Sequence, residues 1–132
     1  MALNIETFGK VVNPTMFTIP SAKFHGELYG ILKDKTKEFV CLKAPRGSAK
    51  SSIVGGIFPL HHLMFDEGNK FVVLTSKTQG HAIKLLQTIK DILDHSESFR
   101  YFFGYWGSHS AKKWTNDYFS FAAHFQSSWK CC

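Results

Sequence analysis

Several features that would assign the chain to a common protein class are missing or scarce. No apolar stretch reaches the roughly 18 residues that a membrane-spanning helix needs. The N-terminus lacks the charged and then apolar layout of a secretory signal peptide. Only three cysteines occur among 132 residues, with two adjacent at the end, so a disulfide framework is excluded. These absences predict an intracellular protein in a reducing compartment, without a membrane partner.

Blocks of charge and the spacing of metal ligands are also missing. No run of five or more like charges forms a tail, and no cysteine and histidine group has zinc-ligand spacing. His61 and His62 are neighbours on a predicted helix, so their side chains diverge. The formal net charge is still +6, which suits an anionic partner such as ATP or nucleic acid. Lysines scattered over a surface would explain that charge equally well.

A short polar segment stands out between two apolar runs. Residues 44–52 read Ala-Pro-Arg-Gly-Ser-Ala-Lys-Ser-Ser, between a strand-like run at 39–42 and a helix-like run that begins at Lys50. A small turn that ends in Lys-Ser at a helix start can bind nucleotide phosphates through backbone N–H groups and the lysine, while the hydroxyl holds Mg²⁺. The usual pattern has glycine where this chain has Ala44 and Ala49.

Two simpler interpretations of this segment stay open. It could be an ordinary helix start, with Ser48 as the N-cap and a solvated lysine. It could also be a plain surface turn over residues 45–48. The strand before it and the helix after it favour phosphate binding, because that context is the one such a motif requires. Residues 44–52 are called the phosphate loop below.

Apolar periodicity predicts alternating strands and helices around the phosphate loop. Continuous apolar runs at 39–42 and 71–75 indicate strands buried on both faces. Helices are predicted over residues 50–64 and 80–95, with a kink or an early end at Pro59. This order predicts an α/β fold in which a parallel sheet has flanking helices and a right-handed βαβα core.

Other segments give weaker patterns. Residues 1–20 contain Pro14 and Pro20 and predict an extended N-terminal arm, after which a short helix should begin at Ser21 as its N-cap. Ser76-Lys77-Thr78 follows the second predicted strand. Ligands of parallel sheets bind beyond the carboxyl ends of the strands, so residues 76–78 and the phosphate loop should face one edge.

With residues 45–51 considered together, the chain resembles the N-terminal ATPase domain of a phage terminase large subunit, a viral DNA-packaging motor. This family often has an arginine early in its loop and tolerates alanine before the lysine. The resemblance covers about residues 17–120. It extends to residues 24–28 before the loop, to Pro59-Leu60 in the following helix, and to residues 74–78 with Ala82.

The resemblance implies a site for ATP and Mg²⁺. Lys50 would bind the β- and γ-phosphates, Arg46 would sense the γ-phosphate, and Ser51 would ligate Mg²⁺. The residues that would bind the nucleotide are Pro45, Arg46, Gly47, Ser48, Ala49, Lys50, Ser51 and Ser52.

The resemblance also implies roles outside the loop. Phe24 and His25 would lie near the adenine, unless they only pack their helix. Residues 76–78 would lie near DNA or the nucleotide, unless they only cap the next helix. Double-stranded DNA, other motor subunits and the portal would be partners of the complete protein in the host cytoplasm.

The elements needed for hydrolysis are not found in the sequence. The family places an Asp-Glu pair at the end of an apolar strand, and no carboxylate after residue 76 has that position. Asp66-Glu67 is an acidic pair, but it opens a Gly-Asn turn. A nuclease domain is absent as well. The sequence therefore predicts a partial P-loop ATPase domain at 21–117, able at most to bind ATP.

Residues 118–132 form an aromatic-rich tail of atypical character. Phe119, Phe121 and Phe125 could form one more strand, but the tail is also typical of a truncated or frameshifted gene, which we favour. Two other functions stay open for the chain. One is a small P-loop kinase or nucleotide transferase. The other is a basic nucleic-acid-binding module without catalysis, which would interleave basic and aromatic residues on one face. Lys112-Lys113-Trp114 and Arg100-Tyr101 could belong to such a face, and they could equally be surface charges beside core aromatics.

Overall fold

The computed structural model describes residues 4–17, 22–65 and 71–120. These residues belong to two compact units that divide between Leu74 and Thr75. Helices account for most of the described residues, and the sheet within them has two short strands. Among the helices of the described part, none is both long enough and apolar enough to cross a lipid bilayer.

The N-terminal unit is built from helices and irregular segments. Its elements are α1 (Ile5–Val12), a 3₁₀ turn (Pro14–Phe17), α2 (Lys23–Lys33), α3 (Lys50–Ser52), a π-helical segment (Ile53–Ile57) and α4 (Phe58–Phe65). The α1 helix packs against α2, the π-helical segment and α4. The core of this unit consists of Ile5, Phe8, Val12, Leu28, Tyr29, Ile53, Ile57 and Leu60.

The extended arm predicted for the N-terminus is wrong for the part that the structure describes. Residues Ile5–Val12 form a helix whose N-cap is Asn4, and Ile5, Phe8 and Val12 lie on its buried face. That spacing is helical, and Pro14 lies beyond the end of the helix, so it does not interrupt it. The ring of Phe8 also makes edge contacts with His61 and Phe65 at centroid distances of 5.4 and 5.6 Å. This segment is therefore part of the core.

The helix predicted over residues 50–64 is confirmed, and it passes Pro59 without ending. The segment continues to Phe65, but it widens into a π turn, in which the Phe58 N–H donates to the Ile53 carbonyl. A proline inside an α-helix clashes with the carbonyl four residues earlier, here that of Gly55. The wider turn ends two residues before Pro59, and prolines and π turns are both features at which helices bend.

The parallel sheet of the predicted α/β fold is absent from the described residues, so that prediction is wrong. Residues 39–42 and 71–75 form no strand, and Phe39 and Phe71 are 93% and 76% exposed. An apolar, β-branched sequence favours a strand only when a neighbouring strand supplies hydrogen bonds and packing. No such neighbour pairs with either segment in the part of the chain that is described.

The C-terminal unit combines two helices with a small hairpin. Its elements are α5 (Gln79–His95), α6 (Glu97–Phe103), β1 (Lys113–Trp114) and β2 (Phe119–Ser120). The strands are antiparallel, with Lys113 opposite Ser120 and Trp114 opposite Phe119. The helix predicted over 80–95 is confirmed. The core residues of this unit are Ile89, Ile92, Leu93, Phe99 and Trp106.

Two predictions concern residues that lie partly outside the described part of the chain. Helix α2 begins at Lys23 with Ala22 at the N-cap position, whereas the predicted cap, Ser21, lies outside the described residues. Phe119 lies in a strand, as the alternative interpretation of the tail expected. Phe121 and Phe125 lie outside the described residues, and whether the gene is truncated or frameshifted stays a prediction.

Candidate functional site

The phosphate loop leads directly into α3, and its backbone takes an unusual course there. Gly47 has a φ of +79° and Ala49 has a φ of +55°. Glycine adopts this left-handed region freely, but a residue with a Cβ is strained in it. The Ala49 carbonyl accepts the first helical hydrogen bond, from the Ile53 N–H at 2.9 Å. The strained residue is thus the N-cap of the helical segment.

The Lys50 side chain folds back over the phosphate loop. Its ammonium donates to the carbonyl oxygens of Ala44 at 2.7 Å and Pro45 at 3.1 Å. The Ser48 hydroxyl donates to the same Pro45 carbonyl at 2.8 Å. An ammonium group has three hydrogens, so these two bonds leave a third for an anion. The Lys50 ammonium is therefore held against the first two residues of the loop.

The backbone of the loop changes from a left-handed to a helical conformation where α3 begins. A left-handed residue followed by a helical one, as at Ala49 and Lys50, brings successive N–H groups to one side of the chain. Such a concave arrangement of N–H groups binds phosphates and other anions. Backbone conformation, the lysine and the start of a helical segment thus point to the same chemistry.

His25 joins α2 to the phosphate loop. Its Nε2 lies 2.9 Å from the Ser48 carbonyl oxygen, and its Nδ1 accepts a hydrogen bond from the Ala22 N–H at 3.0 Å. The centroid of the Phe24 ring lies 4.1 Å from the centroid of the His25 ring. The resemblance implies that both rings lie near an adenine, whereas the contact that His25 makes here is with the loop backbone. Sequence spacing gave no signal for this contact, because the two residues are 23 positions apart.

The other predicted site residues lie on the surface of the loop. Pro45, Arg46, Gly47, Ser51 and Ser52 are exposed, whereas Ser48 is buried. The structure therefore brings together the carbonyl of Pro45, the hydroxyl of Ser48 and the ammonium of Lys50. It does not bring Arg46 or the Ser51 hydroxyl into that cluster.

The described residues offer no cluster of side chains that could bind Mg²⁺ together with Ser51, the predicted ligand. Within residues 4–17, 22–65 and 71–120, no group of three or more histidine, cysteine, aspartate or glutamate side chains could hold a metal ion. Mg²⁺ is commonly held by few protein ligands together with phosphate oxygens and water. The exposed Ser51 hydroxyl, at the first turn of the helical segment, fits that limited role.

The acidic residues after the loop have other partners. Asp94 accepts from the Tyr105 hydroxyl at 2.6 Å, and this hydrogen bond lowers the pKa of the Asp94 carboxyl. Asp117 accepts from the Thr115 hydroxyl at 2.7 Å, which likewise lowers the pKa of Asp117. The acidic pair Asp66-Glu67 lies outside the described residues. No described carboxylate takes the position that hydrolysis would require at the end of a strand.

Residues 76–78 cap a helix. Thr78 is the N-cap of α5, and its hydroxyl accepts from the His81 N–H at 3.3 Å. The Ser76 hydroxyl lies 2.6 Å from Nδ1 of His81. The simpler of the two interpretations of this segment is confirmed. The sheet edge that it was expected to share with the phosphate loop does not form among the described residues.

Comparisons with known proteins add no family to this description. No family model, no curated protein and no solved structure matches the chain. The resemblance to the terminase family therefore rests on the residues quoted for it.

Proposed function

We propose that the phosphate loop binds the phosphates of ATP, and that the chain is the ATP-binding N-terminal part of a viral DNA-packaging terminase motor. The observation that carries the first statement is the Lys50 ammonium, held over a loop in which Gly47 and Ala49 are left-handed. The second statement rests on the sequence resemblance. Hydrolysis coupled to DNA translocation would belong to the complete motor, together with double-stranded DNA, further subunits and the portal.

Each residue of the loop would have a separate task in binding. Lys50 would give its third hydrogen to a phosphate oxygen, and the N–H groups at Ala49 and Lys50 would surround the same group. Mg²⁺, when bound, would neutralise phosphate charge, and Ser51 would be its protein ligand. Arg46 is exposed, so it is free to swing toward a bound triphosphate. These contacts bind and orient the nucleotide and perform no bond cleavage.

A titration of ATP and Mg²⁺ against wild type and Lys50→Ala tests the proposal. A hydrogen bond to a charged group contributes about 1.5–3 kcal/mol, so the variant should bind about 10- to 100-fold more weakly. Lys43→Ala is the matched control, because it removes the same charge from an exposed residue just before the loop. Its affinity should change less than about threefold. Equal affinities for wild type and Lys50→Ala would contradict phosphate binding.

A second candidate, nucleic-acid binding, is favoured by exposed aromatic side chains of the C-terminal unit. Tyr101 is 84% exposed and Phe102 is 59% exposed, and the Lys113 ammonium lies 5.8 Å from the Tyr118 ring centroid. Exposed rings beside cations are what single-stranded nucleic acids stack on. Trp114, by contrast, is half-buried and packs on Phe119.

Fluorescence anisotropy with a labelled oligonucleotide separates the two candidates. If this surface binds nucleic acid, Tyr101→Ala should weaken oligonucleotide binding by about fivefold or more and leave ATP affinity unchanged. Lys50→Ala should then have the opposite pattern. An oligonucleotide affinity that is insensitive to Tyr101 would exclude this second candidate. A kinase or nucleotide transferase would in addition need an acceptor pocket beside the phosphate loop. The pocket between the first two helices contains no residue of that loop; it is lined by Asn4, Glu6, Gly26, Tyr29, Gly30 and Lys33.

A further inference from the structure

The hydrogen bonds of His25 define the state of its imidazole ring. Nδ1 lies 3.0 Å from the Ala22 backbone nitrogen, and a backbone N–H can only donate. Nδ1 must therefore be the acceptor, so the hydrogen of the neutral ring is on Nε2. That hydrogen is donated to the Ser48 carbonyl at 2.9 Å. One ring thus starts α2 and at the same time holds a peptide of the phosphate loop.

This bond sets the direction of the neighbouring peptide N–H. The Ser48–Ala49 peptide is trans, since the described residues contain no cis bond. In a trans peptide the carbonyl and the following N–H point in opposite directions. Because the Ser48 carbonyl points at His25, the Ala49 N–H points away from His25. The direction of this N–H decides whether the loop can surround an anion.

The conformation that His25 holds is one that Ala49 would otherwise leave easily. A left-handed alanine is disfavoured by about as much as one hydrogen bond stabilises. Rotation of the Ser48–Ala49 peptide would relieve Ala49 and would turn its N–H out of the anion-binding side. The bond from His25 opposes that rotation. Without it, the binding conformation should become a minor one.

We propose that His25 is a positioning residue for triphosphate and pyrophosphate groups, acting through the Ser48 carbonyl to orient the Ala49 N–H toward the bound anion. The inference rests on the proposed phosphate binding and adds to it a residue outside the loop. His25 itself makes no contact with the anion. Its effect on affinity is conformational, so it should depend on the donor at the Nε2 position and not on the charge of the ring.

Two conservative variants separate this role from a structural one. The side-chain nitrogen of glutamine in His25→Gln can take the place of Nε2 and keep the donor to Ser48. The side-chain oxygen of asparagine in His25→Asn can take the place of Nδ1, so it keeps the acceptor for Ala22 but falls short of Ser48. A residue that only started α2 would be replaced better by asparagine. A residue that positions the loop would be replaced better by glutamine.

The experiment titrates inorganic pyrophosphate into the ¹⁵N-labelled full chain and follows both affinity and the Ala49 amide resonance. Wild type and His25→Gln should agree within about twofold, and the Ala49 amide should shift downfield on binding. His25→Asn and His25→Ala should bind about five- to tenfold more weakly, with a smaller Ala49 shift. Circular dichroism would check that each variant is folded, and His25→Asn provides the decisive arm if His25→Ala is not.

The outcomes distinguish failure of the inference from failure of the proposed function. If wild type binds pyrophosphate and His25→Asn binds it equally well, the positioning role is overturned while phosphate binding stands. If wild type and Lys50→Ala are alike in showing no binding, the proposed function fails, and the role of His25 fails with it. Loss in His25→Asn with rescue in His25→Gln supports both.

Discussion

The ammonium of Lys90 lies 5.1 Å from the centroid of the Trp114 ring, although Lys90 is only 3% exposed. The same ammonium donates to the Thr115 carbonyl. Lys90 lies on α5, whereas Trp114 lies in β1, so this buried cation fastens the hairpin to the helix. Burial lowers the pKa of Lys90, and the nearby carboxylate of Asp117 opposes that shift. The aromatic ring and the carbonyl are both groups that interact favourably with the charged form of a lysine.

Replacing Lys90 with methionine should destabilise the C-terminal unit. The variant keeps much of the side-chain volume but leaves the Thr115 carbonyl without its donor, so we expect a loss of about 1–3 kcal/mol in the free energy of unfolding. Lys84→Met on the exposed face of α5 is the control and should change stability by less than about 0.5 kcal/mol. Urea unfolding followed by tryptophan fluorescence measures both, since Trp106 and Trp114 belong to this unit. Equal stability of the two variants would contradict the fastening role.

The carboxyl of Asp94 should make stability depend on pH in the acid range. The Tyr105 hydroxyl and the Ser108 N–H both donate hydrogen bonds to the Asp94 carboxylate. These bonds hold the pKa of Asp94 below its usual value. Since the folded-state pKa is the lower one, the stabilisation is present at neutral pH. It is lost as the pH falls below about 4 and through the folded-state pKa.

Tyr105→Phe should therefore cost stability at neutral pH and little in strong acid. We expect a loss of about 1 kcal/mol at pH 7, with the difference from wild type shrinking toward pH 2. Tyr118→Phe is the control, because Tyr118 is exposed. Its contact with Lys113 is made by the face of the ring, which phenylalanine keeps. Unfolding curves over this pH range give the comparison. A pH-independent effect of Tyr105→Phe would mean that its hydroxyl does not act through Asp94.

The N-terminal unit contains a polar group that lowers its stability. The Tyr29 hydroxyl is buried and has no hydrogen-bond partner among the described residues, and burial, followed by the charge of Glu6, raises the pKa of Tyr29. Tyr29→Phe removes the cost of burying that hydroxyl, so it should stabilise the protein by about 1 kcal/mol. Tyr101→Phe, at a highly exposed residue, should have no effect. Thermal unfolding measures both, and a destabilised Tyr29→Phe would reveal a partner for the hydroxyl.

The helix with the longest local apolar stripe, α5, was predictable, whereas the shorter α1 was missed. The apolar stripe of α5 includes Ile89, Ile92 and Leu93, and all three are buried as expected. The strands were not predictable, because a run such as 71–75 is a strand only if another segment pairs with it. Among the described residues β1 and β2 pair with each other and not with this run, and its Phe71 and Val73 are exposed. Sequence pattern alone cannot separate a strand from an unpaired apolar segment.

The candidate site divides in the same way. The position of Lys50 at a helix start follows from short-range order and is confirmed, whereas its phosphate-binding chemistry stays a prediction. The strand predicted just before the loop is absent from the described residues. Instead, His25 is hydrogen-bonded to the loop backbone. A contact between residues so far apart in sequence leaves no spacing to detect. The turn and the helix start could therefore be predicted, but the contact between His25 and the loop backbone could not.

The left-handed backbone of Ala49 should affect both the stability of the protein and its affinity for ATP. Ala49→Gly restores the glycine of the usual phosphate-loop pattern at a φ of +55°, where glycine is unstrained. The relief is partly offset by the greater freedom of glycine in the unfolded chain. Stability should therefore rise by between zero and about 1 kcal/mol, and ATP affinity should be retained.

Ala49→Val is the matched opposite change. A β-branched side chain is a genuine outlier in the left-handed region, so the backbone should leave it and turn the Ala49 N–H away from the anion. ATP affinity should then fall about tenfold or more, while helix α5 of the other unit remains folded. Calorimetric titration of both variants with ATP and Mg²⁺ measures the difference. If valine and glycine gave the same affinity, the conformation of Ala49 would have no part in binding, and Lys50 alone would have to explain it.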